Sequence, residues 1–395
     1  MTYRIRENTM RFRTARREGF ALAVALAAIV IIGSLIGIAY FASTQQYRMG
    51  RNTVLQARAL TAAENGLYST VSTSGWDAGW NTPAGPGVLS STVSTLSDGS
   101  LDSVIVTALP NGTYSIVSIG QSGSHAGAQG RRRVGALVSL SIPTINMLAA
   151  LTTRGALKAG GSSQISGSDI TIPLWGCPAG GASLPGVALP DSTQISFSGC
   201  KNCIQGSPPV QQSAAAGDDS TYNNFGDANW SQLVAMATVS LGGGGTFNGI
   251  APQDTTVGGV VQCNKHPASN WGDPLRSLAS TPGVYPCANY FPIIYSNGNL
   301  KITGGAGQGI LLVNGDLRID GGFEFYGPVI IQGSFTTQGT GGHINGGVLA
   351  SNVDLEQNVV LGNAVINYSS CAISRALNAS ATAQLAKGRS WTELY

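Results

Sequence analysis

The rhythm of hydrophobic and polar positions changes three times along the chain. Residues 19–41, GFALAVALAAIVIIGSLIGIAYF, hold no charged side chain in 23 positions. A helix of that length is roughly 34 Å long and spans a bilayer. Only one such run occurs. From 43 to 71 there is no proline, and Tyr47, Val54, Ala57, Leu60, Ala63, Leu67 and Val71 recur at intervals of three, four or seven. That spacing predicts an amphipathic continuation, so a single helix over 20–73 is expected. Its first half, 20–41, would sit in a membrane and its second half would pack on a globular domain.

Beyond residue 74 the period becomes two. Val104, Val106 and Ala108 alternate, then Tyr114 and Ile116 (or, on the other face, Val117 and Ile119), then Val134, Ala136, Val138 and Leu140. Alternation of this kind marks half-buried strands. The middle run is apolar on both faces, so the pattern does not decide which one meets the core. Pro110-Asn111-Gly112 and the polar stretch 120–130 separate the runs, which predicts a small antiparallel sheet over 74–145 packed against the helix. Arg131-Arg132-Arg133 opens the last strand and is expected to guard a solvated edge.

The third pattern is a repeat. Residues 293–304, 309–321, 327–339 and 347–357 align on Leu300, Leu317, Phe335 and Val353, spaced 17, 18 and 18. Each unit has a short apolar strand, a glycine-bearing corner, an alternating strand and another glycine-rich corner. This is one coil of a parallel β-helix, and stacked coils bury what a single coil cannot. Thr153-Arg154-Gly155-Ala156-Leu157-Lys158 opens a related coil. The division expected is a first coil plus a cysteine-bearing insertion over 146–295 (the insertion itself at 173–290), the β-helix over 296–375 and a C-terminal cap over 376–395. One short helix is expected at 227–238, with Trp230, Leu233, Val234 and Ala237 on one side. The fold class is therefore α+β: a long N-terminal transmembrane and amphipathic helix on a small antiparallel sheet, then a mainly-β body ending in a parallel solenoid.

Charge adds topology. Only 10% of the 395 residues are charged, and the formal net charge is +3, but the first 18 residues hold six arginines against two glutamates. The remainder of the chain is close to neutral, so the basic balance does not describe a nucleic-acid surface, which spreads its cations over a face. Arginines at 11, 13, 16 and 17 directly precede the apolar run and place the N-terminus in the cytoplasm and the body outside. A cleavable secretory signal is the competing reading, against which stands the length of the run.

Arg17-Glu18-Gly19-Phe20 followed by an apolar run resembles the type IV prepilin site, cut on the cytoplasmic side between glycine and an aromatic residue. The resemblance implies processing between Gly19 and Phe20, after a basic leader over 1–19. Gln56-Ala57-Arg58-Ala59-Leu60-Thr61-Ala62-Ala63-Glu64-Asn65-Gly66-Leu67 resembles the segment that closes the first helix of PilX-type minor pilins. Together these cover about 50 residues. Major pilins carry glutamate at the fifth mature position, which here is Val24; that departure favours a minor subunit. Met10 offers an alternative start with a ten-residue leader. The repeat period also resembles that of bactofilin-type β-helices. What the resemblance implies is a structural minor pilin or pseudopilin, not an enzyme. It would act in assembly or tip display of a pilus-like fibre, with prepilin peptidase, other pilin or pseudopilin subunits and the lipid bilayer as partners. No cofactor and no nucleic acid are implied.

The chemistry available elsewhere is sparse. Cys177, Cys200, Cys203, Cys263 and Cys287 fall in the expected insertion and Cys371 follows it. In an exported body disulfides are the default, and six cysteines allow fifteen connectivities. Cys263 with Cys287 is the first pairing to expect, with Cys371 as a buried thiol. Zinc is the alternative, on Cys200, Cys203, Cys263 and His266. Asp218-Asp219 is an alternative calcium loop without a defined ligand spacing. His125, His266 and His343 are the only histidines, and no G-x-S-x-G elbow accompanies them. Two other classes stay open: an uncleaved single-pass adhesin or stalk, and a β-helical carbohydrate-active enzyme, for which the coils offer Lys301, Asp316, Arg318, Asp320 and Glu324.

Overall fold

A computed structural model describes residues 18–72, 75–81, 83, 85–123, 128–178, 180–200, 202–351, 358–386 and 391–394. Helix α1, Glu18–Val71, runs unbroken for 54 residues, about 80 Å at 1.5 Å per residue. Its apolar half is exposed on every side, from Phe20 at 70% to Phe41 at 65%. The Ser34 hydroxyl donates to the Val30 carbonyl at 2.7 Å, so this polar group is satisfied within the helix itself.

The distal part of α1 lies on an antiparallel sheet of consecutive strands β1 (Gly87–Thr95), β2 (Leu101–Ala108), β3 (Thr113–Gly123) and β4 (Gln129–Ser141). The buried face of β2 carries Val104, Val106 and Ala108, and that of β4 carries Val134, Ala136 and Val138. On β3 it is the Tyr114 and Ile116 face that turns inward, which settles the choice the alternation left open.

The helix stripe differs from the expected one. Tyr47 and Val54 are 72% and 51% exposed, and the buried positions are Leu55, Ala59, Ala62, Ala63 and Leu67. The reason is close approach. A Cβ on Gly120 would stand 1.8 Å from the Ala59 carbonyl oxygen, and one on Gly130 2.2 Å from that of Leu55. Glycines in the sheet and alanines in the helix let the two backbones meet, so small residues hold the contact and the large ones project beyond it.

Strand β4 is not an edge, contrary to the reading of its three arginines. Thr382–Leu385 and Trp391–Glu393 pair antiparallel with it, and Arg132 Nη1 meets Glu393 Oε1 at 2.8 Å. The end of the chain thus returns to the antiparallel sheet, where a cap on the far body was expected.

The rest is built mainly of parallel strands in two sheets, with two antiparallel strand pairs beside them. Leu300, Leu317 and Phe335 stand in register on successive strands, with Ile302, Ile319 and Thr337 two residues on, all buried. Lys301 and Arg318 between them point outward. Val353 lies outside the described residues; the strand opposite Phe335–Gln338 is Asn358–Val360, so that turn exceeds the expected spacing. Ile310–Val313 is buried on both faces, its inner face in the main core and its outer face beneath Leu233 and the helix Ser370–Ala379. This explains an uninterrupted apolar run where alternation fails.

The order of the stack is permuted relative to the sequence. Leu151–Thr153, Leu157–Gly160 and Gln164–Ser166 pair with Gly342–Ala350, Asn358–Val360 and Val365–Tyr368. Val187–Leu189 and Ile195–Ser198 follow on that end, while Val239–Leu241 and Gly245–Phe247 add to Ile293–Ser296 and Leu300–Ile302 at the other. Residues 173–290 are therefore not wholly an insertion: they supply strands to both ends of the sheets, while Asp254–Val257 and Val260–Cys263 pair only with each other. Trp230–Ala235 is the short helix expected in 227–238, capped by Asn229, whose side chain accepts from the Gln232 amide.

Candidate functional site

The most distinctive surface is α1 itself. Over residues 20–41 it carries Leu22, Val24, Leu26, Ile29, Val30 and further large aliphatic side chains, all more than half exposed. A helix apolar all round belongs in lipid or against other helices, not in water. Gly19 and Phe20 lie in its first turn. A Cβ added at Gly33 or Gly37 would meet nothing within 4 Å, so their faces are open to a neighbouring helix. From Leu55 onward the same helix is packed on the sheet.

The junction with the body is clamped. Trp76 packs edge-on against Trp80 and Tyr114, at 5.2 and 5.1 Å between ring centres. Its indole donates to Asn81 Oδ1 at 2.7 Å, and the Asn81 amide donates to the carbonyls of Asn378 and Ala381 at 2.8 and 3.1 Å. Tyr114 donates its hydroxyl to the Trp80 carbonyl at 2.8 Å, and burial pushes its ionisation upward. A cleft of about 1130 Å³ opens beside this cluster, lined by Trp76, Trp80, Lys265, Tyr290 and Phe291 among others.

The cysteines form three disulfides, Cys177–Cys371, Cys200–Cys203 and Cys263–Cys287. Cys371 is thus a bridged residue and not a buried thiol: helix Ser370–Ala379 brings it beside the 3-10 turn Pro173–Trp175. Arg375 lies over the Trp175 ring at 5.4 Å and donates to its carbonyl. The pairings also consume every sulfur of the zinc alternative. Asn270 supports the third bridge, its amide donating to the Asn264 carbonyl at 2.6 Å beside both sulfurs.

The polar groups considered for carbohydrate chemistry are engaged in the sheets. Asp320 is held by Arg318 Nε at 3.0 Å and Lys301 Nζ at 2.9 Å, and the Arg318 hydrogen bond above all keeps its carboxyl below the usual range. Asp316 accepts from the Ser334 amide at 2.8 Å at a corner. Glu324 accepts from Tyr326 at 3.1 Å and faces His343 Nδ1 at 4.0 Å. Asp219 pairs with Arg154. His125 lies outside the described residues.

The chain is thus a long N-terminal helix, exposed and apolar over its first part, whose distal part lies on an antiparallel sheet joined to a mainly-β body. No protein-family model matches the chain, and no curated protein matches it. Among solved structures, the competence-associated pilin ComZ from Thermus thermophilus matches over 86% of this chain and 96% of that one, with 11% identity and a TM-score of 0.23.

Proposed function

We propose that this protein is a minor pilin or pseudopilin-like subunit. It inserts as a single-pass membrane protein with its N-terminus in the cytoplasm and is cut by a prepilin peptidase between Gly19 and Phe20. It then joins a type IV pilus-like fibre through α1. The observation that carries the reading is the continuity of α1: one helix is exposed and apolar over its first half and immobilised on a sheet over its second. Helix burial among neighbouring subunits would replace lipid contact. Val24, in place of a glutamate, leaves the inner half without a charge and fits a subunit present in few copies. The segment that resembles PilX-type minor pilins supplies Ala59, Ala62, Ala63 and Leu67 to the sheet contact.

In the same reading the parallel sheets are the faces of a β-helical solenoid displayed at the tip or side of the fibre. The in-register strands of the two parallel sheets and the glycine column at Gly309, Gly327 and Gly346 support this. A Cβ on Gly327, where φ is +139°, would stand 2.0 Å from the Gly309 carbonyl oxygen.

The experiment is Gly19→Leu, which fills the small position before the scissile bond. The expected result is a chain that reaches the membrane but keeps its leader, whereas the unaltered chain loses it. Equal processing of both would contradict the assigned site.

A further inference from the structure

Residues 20–47 of α1 contain no lysine or arginine, and the first two cations beyond the apolar run are Arg48 and Arg51. Both are exposed. Residues 19–63 hold no aspartate or glutamate, and among the described residues neither arginine makes an ion pair. Arg58, the next arginine along, differs: it lies in reach of Asp98 on the body, whose carboxyl is lowered first by its hydrogen bonds from Ser100 and then also by this cation. Tyr40, Tyr47 and Arg51 follow at spacings of seven and four, and Arg48 stands three before Arg51. The four side chains therefore share one side of the helix. Tyr40 and Tyr47 are 73% and 72% exposed, and on α1 the buried positions begin only at Leu55, so the body leaves this side open.

We infer that Arg48 and Arg51, flanked by Tyr40 and Tyr47, bind the phosphate headgroup of an anionic phospholipid in the outer leaflet. The inference rests on the membrane-anchored reading of α1. Height along the helix supports it. Arg48 lies seven residues past Phe41, about 10 Å at 1.5 Å per residue, and Arg51 about 15 Å, while the headgroup layer is roughly 5–8 Å deep outside the hydrocarbon core. Side chains on a helix lean toward its N-terminus, here the bilayer side, so the arginine stems reach back over the remaining distance to the phosphates. Tyrosines mark the same interfacial level. Guanidinium groups without a protein carboxylate present paired N–H donors that match a phosphate. An acidic surface of a neighbouring subunit is the other chemistry they accept, but it would meet them from the side, whereas their lean is along the helix toward the membrane. Cations outside a span oppose the usual topology signal, and the six arginines of residues 1–18 outweigh them. Removal of residues 1–19 would leave Arg48 and Arg51 as the cations nearest the bilayer.

The test places the full chain, one copy per disc, in lipid nanodiscs of phosphatidylcholine with or without phosphatidylglycerol. Phenylglyoxal, an uncharged reagent for free guanidinium groups, is followed residue by residue by mass spectrometry. Phosphatidylglycerol is expected to slow modification of Arg48 and Arg51 about fivefold and to leave Arg276, exposed on the β body, unchanged. After extraction, native mass spectrometry of the paired Arg48→Gln and Arg51→Gln variant is expected to show fewer retained phosphatidylglycerol molecules than the unaltered chain. Inorganic phosphate added to phosphatidylcholine discs is expected to change nothing, and protection by it alone would overturn the lipid as ligand. Equal modification rates in the two lipids, or equal lipid retention by the paired variant, would overturn the site. Protection in phosphatidylcholine discs that arises only with two copies per disc would overturn it in favour of a neighbouring subunit. Amide exchange over residues 22–40 separates the two readings. Slow exchange there with unprotected arginines contradicts the headgroup site alone, and fast exchange contradicts the membrane-anchored reading and the site with it.

Discussion

Gly120 fixes how near α1 comes to the sheet. Gly120→Val places side-chain atoms where the Ala59 carbonyl and the Ala63 amide already stand, at 1.8 and 2.6 Å from the first carbon alone. Overpacking of this kind against backbone is expected to cost about 3 kcal/mol, measured by denaturant unfolding of the full chain in micelles. Gly50→Ala is the contrasting change. Gly50 lies within α1 with nothing within 4 Å, so alanine there should raise stability by about 0.5–1 kcal/mol. Asp320 supplies a pH-dependent case. Its folded carboxyl ionises below the ordinary aspartate value, so its contribution is complete above that ordinary value and fades as pH falls through the lower folded one. The stability difference between the unaltered chain and Asp320→Asn should therefore vanish in strong acid and be small throughout, as for other exposed pairs. A difference that grows on acidification would contradict the assignment. Small residues also explain what the sequence concealed at this scale: periodicity weights large apolar side chains, and alanine and glycine contacts carry almost no such signal.

Elements are legible in the sequence wherever one face is buried and the other is wet. The alternation in β2 and β4 and the spacing of Leu300, Leu317 and Phe335 follow from that rule. The edge role expected of Arg131–Arg133 fails because the strands that cover β4 arrive from more than 240 residues away, at Thr382–Leu385 and Trp391–Glu393. Local pattern holds no trace of such a partner. The thiol expected at Cys371 fails for the same reason, since its bridge to Cys177 spans 194 residues of sequence. That bridge ties helix Ser370–Ala379 to the body. Paired alanines at Cys177 and Cys371 are expected to cost roughly 2–4 kcal/mol and to speed amide exchange in residues 370–379 well before the sheets open. Unchanged exchange there would show that Arg375, Trp175 and the buried face of the helix suffice without the bridge.

At the scale of the molecule, the repeat reveals stacked parallel strands but not the order of the stack. Repeat units of similar composition look alike, so nothing local says that Leu151–Thr153 follows Gly342–Ala350 in space. The permuted order makes the body one stack in which the first repeat unit pairs with the last. The antiparallel sheet is joined to it through residues 142–150 and again through the returning C-terminus. A rigid body at the end of a long apolar helix suits a subunit whose helix is buried and whose body is shown.

The central claim is that α1 is processed and assembled, and the mass of the N-terminus tests it most directly. The protein would be purified from the membrane fraction of its native host, in strains with and without the prepilin peptidase. The account predicts a terminus at Phe20 in the first strain and an intact leader in the second. An intact leader in both strains would contradict it and leave an uncleaved, single-pass surface protein.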